Sequence, residues 1–374
     1  MTTIDSGTVE TNPRSPVFVL GYARSGTTLL RALLGAHPEI QMANEPEFLR
    51  ALRASGLSLT SRLQPGDRPK LLASIDSITT AREFLDAVPD DRKRWLFSST
   101  DDDIDARILY ESLLGVTNNT AVWGEKSLGN VFHVDEILQV YPNAVFIHIV
   151  RDPRAALLSL YRKRFFASTD AAPPLDRNAI RFFAYHTHDW LAEMDMVLRL
   201  LRQTGPNTLV EVKYETLVQR PEDELRRLCA FLNLPFESAM LDPNRRTDDP
   251  ALQGAGSFAH RALAEPVDRT RAAASREIPA FADHIVSTIA EAAMSRYEYP
   301  TAPPRLPLTV KLRLWAELCY DHQRLRRRLA DMQRQRGAFP HGPVRPALAV
   351  ASSDTDEASR LKLRRQYEKS SKCS

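Results

Sequence analysis

The apolar positions of this chain fall into a few short unbroken runs, separated by longer stretches in which they recur every three or four residues. Val17 to Leu20 is such a run and ends at Gly21. Leu29, Leu30, Leu33 and Leu34 then follow at helical spacing, up to a stop at His37-Pro38. The same alternation repeats. Ile40 to Asn44, Ala121 to Gly124, Ala144 to Val150 and Leu209 to Val212 read as strands. Amphipathic segments at Thr80–Val88, Asp105–Leu114, 131–140, 176–204, 221–233 and 281–296 read as helices, with a further helix opened by Pro153. Ala144 to Val150 is apolar throughout, as suits a central parallel strand buried on both faces. Strands alternating with helices predict an α/β domain with a central, mostly parallel sheet flanked by helices. The predicted domain covers 16–300. Residues 1–15 and 337–374 show no periodicity and predict a disordered lead-in and tail. Residues 306–336 predict an amphipathic C-terminal helix, with Leu312, Trp315, Leu318, Leu325 and Leu329 on one side and a basic opposite face. It suits docking on the domain, pairing with a second subunit, or an anionic surface, in that order. The glycine-, proline- and arginine-rich stretch 242–280 reads as a functional lid.

Strand, glycine loop and helix start make an anion site between Gly21 and Thr28. The first-turn N–H groups of a helix lack intrahelical partners, and its dipole favours negative charge there. Gly21-x-x-x-x-Gly26 has the spacing that opens a P-loop, but Thr27-Thr28 stands where a nucleotide triphosphatase has Lys-Ser or Lys-Thr. The cation sits inside the loop instead, as Arg24, beside the hydroxyls of Ser25, Thr27 and Thr28. Other candidates lie at strand ends. Glu45 fits two readings: a carboxylate placed to accept a proton, or a helix-start charge before Pro46. Lys126 suits neutralisation of developing negative charge. Arg151-Asp152-Pro153-Arg154 reads as a second anion site, with Ser159 two helical turns further on; Arg154 and Arg164 read as solvated helix face. Tyr214 suits stacking on, or hydrogen bonding to, a purine. His37 reads as a cap or surface residue. His186 and His188 lie on different helix faces and argue against a shared metal. The aromatic stripe around Phe182, Phe183 and Trp190 reads as core.

Composition narrows the class without naming the chemistry. A chain of 374 residues that is 43% hydrophobic and 26% charged is that of an ordinary globular protein. A net charge of +3 gives no case for nucleic acid or membrane. Cys229, Cys319 and Cys373 form no metal or redox spacing. With no signal-peptide pattern and no long apolar run, a cytoplasmic location is the expectation.

Arg24-Ser-Gly-Thr-Thr-Leu, followed by Ala36-His-Pro-Glu39 and an acidic region, resembles the sulfotransferases that use 3′-phosphoadenosine 5′-phosphosulfate (PAPS). Within them it is most similar to the tyrosylprotein branch and its bacterial relatives. The resemblance covers about 16–300 and implies a P-loop-like three-layer fold. It implies that Arg24, Ser25, Gly26, Thr27 and Thr28 hold the 5′-phosphosulfate. Arg151, Ser159 and Lys163 would hold the 3′-phosphate, and Tyr214 would contact the adenosine. Glu45 would be the general base, with Lys126 and Arg24 stabilising the transition state, PAP as product, no metal requirement, and a small molecule, lipid, sugar or peptide tyrosine as acceptor. Two features depart from the pattern. Asn44-Glu45 replaces a Glu-Glu pair, and the late Arg-Lys-Gly stretch is absent, with Arg271, Ser275 or Arg276 as substitutes. Two other classes fit the loop: an ATP-dependent small-molecule kinase with Asp152 on magnesium, and a nucleotide-binding scaffold acting through the C-terminal helix.

Overall fold

The computed structural model describes residues 16–98, 103–116, 122–166, 172–205, 207–242 and 275–318. The chain opens with β1 (Val17–Leu20), α1 (Thr27–Gly35), β2 (Ile40–Asn44) and the short α2 (Phe48–Ala54). A two-residue antiparallel pair follows, β3 (Arg62–Leu63) with β4 (Ile104–Asp105), which the sequence pattern did not predict. Between its strands lie α3 (Arg68–Asp76), α4 (Thr79–Ala87) and α5 (Arg94–Phe97). Next come α6 (Ala106–Leu114), β5 (Val122–Lys126), α7 (Val134–Val140), β6 (Val145–Val150), α8 (Pro153–Phe165) and the long α9 (Arg177–Thr204). The last described elements are β7 (Leu209–Lys213), α10 (Tyr214–Gln219), α11 (Pro221–Phe231), α12 (Ala280–Ile289), α13 (Glu291–Arg296) and a helix over 308–318.

The five predicted strands form one parallel sheet, in the order β2-β5-β1-β6-β7. Both faces are covered, and β1 shows why its sequence is apolar without a break. Val17 and Val19 pack into one cluster with α1 and α11, while Phe18 and Leu20 pack into another with α2, α6 and Trp123. Because all five strands run the same way, residues 21, 45, 126, 151 and 214 reach the same edge of the sheet. That edge is where open α/β sheets bind ligands.

A third apolar cluster joins α8, α9 and α12 through Leu157, Tyr161, Phe183, Trp190, Phe281 and Val286. Phe182, Phe183 and Trp190 are core residues, as the stripe predicted. The predicted helix at 131–140 begins as a 3₁₀ turn over Asn130–Phe132 before α7. His37 is fully buried, not a surface residue. Its Nδ1 accepts the Glu39 N–H at 3.0 Å and its Nε2 lies 2.9 Å from the Pro235 carbonyl, so the ring closes the α1 end.

The helix over 308–318 docks on the domain by a face that shares only Leu318 with the predicted stripe, whose Leu325 and Leu329 lie outside the described residues. Leu314 is buried, with Val310 and Leu318 packed against the same cluster, while Leu312 and Trp315 are exposed. Spacing alone could not choose between two apolar stripes on one helix. Of the predicted lid, 243–274 lies outside the described residues, as do the lead-in, the tail and Arg271. No described helix is long and apolar enough to cross a membrane.

Candidate active site

Gly26 is the N-cap of α1, with φ of +97° and no side chain to fill the helix end. The first turn carries no acidic residue, and the first helical hydrogen bond is Leu30 N–H to the Gly26 carbonyl at 3.0 Å. The N–H groups of Thr27, Thr28 and Leu29 therefore precede the helical ladder. Arg24 is also left-handed, at φ +68°. Left-handed residues of this kind curl backbone amides into a concave anion cradle. Ser25 Oγ is fully buried and has no hydrogen-bond partner among the described residues. A buried hydroxyl left unsatisfied beside a bare helix start is what an anionic ligand would complete.

The second predicted anion site is continuous with the first. Arg24 Nε donates to Ser159 Oγ at 3.1 Å, and Arg151 Nη1 donates to the Arg24 carbonyl at 3.0 Å. Ser159 does not need to reach the strand end, because Arg24 spans the gap. The Arg151 guanidinium lies over the Tyr214 ring, 4.2 Å from its centre. Tyr214 is buried, and a Cβ at position 26 would stand 2.4 Å from its ring. Loop, tyrosine and arginine thus form one stack. Tyr214 opens α10 instead of sitting in a loop. Lys163 is exposed, one turn of α8 beyond Ser159.

Asp152 and Arg154 are not as the sequence suggested. Asp152 caps α8 by accepting the Arg154 N–H at 3.0 Å, and its two oxygens also accept from Arg154 Nε and Nη2 at 3.0 and 2.7 Å. Arg154 is buried, not solvated, and reaches Asp283 of α12 at 3.6 Å. Glu215 accepts the Asp152 N–H at 3.0 Å and the Tyr299 hydroxyl at 2.9 Å. Arg151 and Tyr214 are therefore each followed by a residue that fixes their strand end. Arg164 is exposed, as expected.

At the β2–β5 end, Asn44 lies opposite Lys126 in register. Lys126 Nζ forms an ion pair with Glu45 Oε1, and the Glu45 N–H donates to the Lys126 carbonyl at 2.7 Å. The Lys126 side chain is 1% exposed and that of Glu45 24%. Burial lowers the Lys126 pKa, and Glu45 opposes that shift. Arg31 is likewise lowered to about 10 by burial, with Glu45 acting against it. Glu45 Oε2 takes no part in this ion pair, and the Glu45 side chain is its more exposed member. Glu45 is not a helix-start charge: α2 begins at Phe48, with Glu47 as its N-cap.

The sequence reading brings Glu47 near the loop with Asn44 and Glu45 but does not show its burial, and other residues around the pair escaped it. Glu47 is buried, and burial lifts its carboxyl to about 7. Glu45 and Glu47 are both left-handed, at φ +50° and +47°, an uncommon state for residues with a side chain. Glu125 reads in sequence as part of a charged turn, yet it is fully buried. Tyr22, next to the loop glycine, lies 2.9 Å from His186 Nδ1. Nothing in the sequence connects these residues, because each pair spans different elements. Among the described residues, no group of three or more His, Cys, Asp or Glu is arranged to hold a metal.

A profile of the Sulfotransferase family matches residues 16–238. A putative protein-tyrosine sulfotransferase of Caenorhabditis briggsae is 29% identical over 234 residues, covering 60% of this chain and 68% of the relative. Protein-tyrosine sulfotransferase A of Caenorhabditis elegans is 23% identical over 237 residues. That match covers 63% of this chain and about half, 54%, of the relative. Among solved structures, the sulfotransferase domain of an olefin synthase from Synechococcus PCC 7002 superposes with a TM-score of 0.52 at 22% identity. It covers 83% of this chain and 96% of the domain, a likeness of fold.

Proposed function

We propose that this chain, which belongs to the sulfotransferase family, moves a sulfuryl group from PAPS to a hydroxyl of its acceptor, with Glu45 as general base. The observation that carries the reading is the Lys126–Glu45 pair at the same sheet edge as the Arg24–Ser159–Arg151 stack. The fit to the nucleotide rests on the buried, unsatisfied Ser25 hydroxyl beside the bare start of α1. Arg24, Ser25, Gly26, Thr27 and Thr28 would hold the 5′-phosphosulfate. Arg151 and Ser159 would hold the 3′-phosphate, with Lys163 at its outer side and Tyr214 beside the adenosine. Bound PAPS supplies a sulfuryl group already attached to a good leaving phosphate.

The chain supplies the proton acceptor and the countercharge. Glu45 Oε1 is committed to Lys126, which holds the carboxylate in one orientation and leaves Oε2 to take the proton of the attacking hydroxyl. Lys126, in low dielectric, and the Arg24 guanidinium offset the negative charge that builds on the bridging oxygen. A kinase would need Asp152 for magnesium, and that carboxylate already spends both oxygens on Arg154 and its own helix.

Thermal unfolding tests the donor. PAP at about 100 times its dissociation constant stabilises the fold by roughly 2.7 kcal/mol, and ATP with magnesium gives no comparable shift. A shift with ATP and magnesium but none with PAP overturns the reading.

A further inference from the structure

The turn that carries Glu45 is held by three consecutive residues of β5 and its end. Glu45 donates its N–H to the Lys126 carbonyl at 2.7 Å. Two residues on, the Glu47 N–H donates to Ser127 Oγ at 3.0 Å. Because an amide can only donate, the Ser127 hydroxyl must point its own proton elsewhere, and it points to Glu125 Oε2 at 2.6 Å. Asn130 Nδ2 donates to Glu125 Oε1 at 2.8 Å, and the Tyr110 hydroxyl donates to the same oxygen. Three hydrogen-bonding groups converge on this carboxyl group; burial pushes its pKa up, and the bonds from Ser127, Tyr110 and Asn130 oppose that shift. The Tyr110 ring also stacks on Phe48, the first residue of α2, with centres 5.4 Å apart and planes at 9°.

This network is costly where it stands. Glu125 is fully buried, and an apolar side chain there would suit stability better than a desolvated carboxyl group. What the carboxyl group does is fix the hydroxyl of Ser127, which in turn fixes a turn whose two ends, Glu45 and Glu47, are both left-handed. Left-handed residues with side chains persist where their surroundings over-determine them, and Ser127 supplies that hold here.

We infer that Glu125 is a positioning residue for group transfer: through Ser127 it clamps the 45–47 turn and so aims the free oxygen of Glu45 at the acceptor hydroxyl. The inference rests on Glu45 being the base. The hydrogen bonds of Glu125 and Ser127 go to Glu47, Asn130 and Tyr110 and not to the Arg24 loop, so the turn is expected to fail while that loop stays intact.

Three variants test it: Glu125→Gln, Ser127→Ala and Ser127→Thr. The readouts are the unfolding midpoint, the PAP dissociation constant, and PAP release from PAPS with 4-nitrophenol, N-acetyltyrosinamide, a simple alcohol, or water alone. Glu125→Gln and Ser127→Ala are expected to stay folded, bind PAP within about twofold of wild type, and lose roughly 10- to 100-fold in turnover, the scale of a displacement near 1 Å. Ser127→Thr keeps a hydroxyl that can donate and accept, and is expected to recover to within about threefold of wild type. Wild-type turnover in both folded variants overturns the inference. So does a parallel loss of PAP affinity, or unfolding of both variants, either of which makes the network structural. A wild-type protein that releases no PAP with any of these acceptors instead overturns sulfuryl transfer itself.

Discussion

Glu47 lies two residues from Glu45, yet burial lifts its carboxyl from the ordinary 4.5 to about 7. The consequence for stability has a definite sign. Between about pH 4.5 and 7 the folded state holds a proton that the unfolded chain has released. Stability therefore falls as pH rises through that window, by about 3 kcal/mol in all. Glu47→Gln removes the titration. Its denaturant midpoint is expected to exceed that of wild type at pH 8 and to converge with it below about pH 4.5. A difference that is the same at both pH values would show that Glu47 is not the group responsible. Glu45 makes a separate prediction. Glu45→Gln keeps an oxygen for Lys126 but cannot take a proton, so turnover falls by roughly 10²–10⁴ while PAP affinity is kept. A near wild-type rate in that variant removes Glu45 from the mechanism.

At the scale of elements, the site depends on how tightly the β1–α1 loop meets α10. Gly26 combines a φ of +97° with a Tyr214 ring 2.4 Å from where a Cβ would be. Gly26→Ala is expected to destabilise the fold by roughly 1–3 kcal/mol and to weaken PAP binding at least tenfold. The pairing of the two effects is informative. The substitution displaces the Tyr214 ring, and with it the Arg151 guanidinium that lies over it. If calorimetry finds stability lost and PAP affinity unchanged, the stack does not shape the nucleotide site. The same logic separates α8 from the helix face the sequence suggested. Its first turn is occupied by Asp152 and Arg154, and its solvent-facing basic residues begin only near the far end.

For the whole molecule, the described C-terminal elements are tied to the strand ends that carry the candidate site by buried and part-buried polar contacts. Arg154 joins Asp152 at the end of β6 to Asp283 of α12, and Tyr299 closes on Glu215. Arg154→Ala leaves Asp152 buried without its cation, which for a broken buried pair costs about 3–5 kcal/mol. The expected result is a large fall in the unfolding midpoint with PAP affinity reduced as well, since Arg151 is adjacent. A midpoint within about a degree of wild type would show that the contact is not needed to hold α12.

The sequence by itself determined the sheet, the loop and the chemistry class. Strand Val17–Leu20, the glycines at 21 and 26, and Arg24 inside the loop are local facts, set by periodicity and by which residues tolerate a left-handed backbone. A parallel sheet then carries every strand end to one edge, so Glu45, Lys126, Arg151 and Tyr214 could be grouped without coordinates. What only the tertiary structure decided is which charges are paired and which are buried. Arg154 looked solvated, Glu125 looked like part of a charged turn, and Leu312 and Trp315 looked like one docking face with Leu318. Each was settled by a partner far along the chain: Asp283, Tyr110, and the α9–α12 cluster that takes Leu314 instead. Burial and ion pairing depend on contacts between elements, and hydrophobic period along one element carries no information about them.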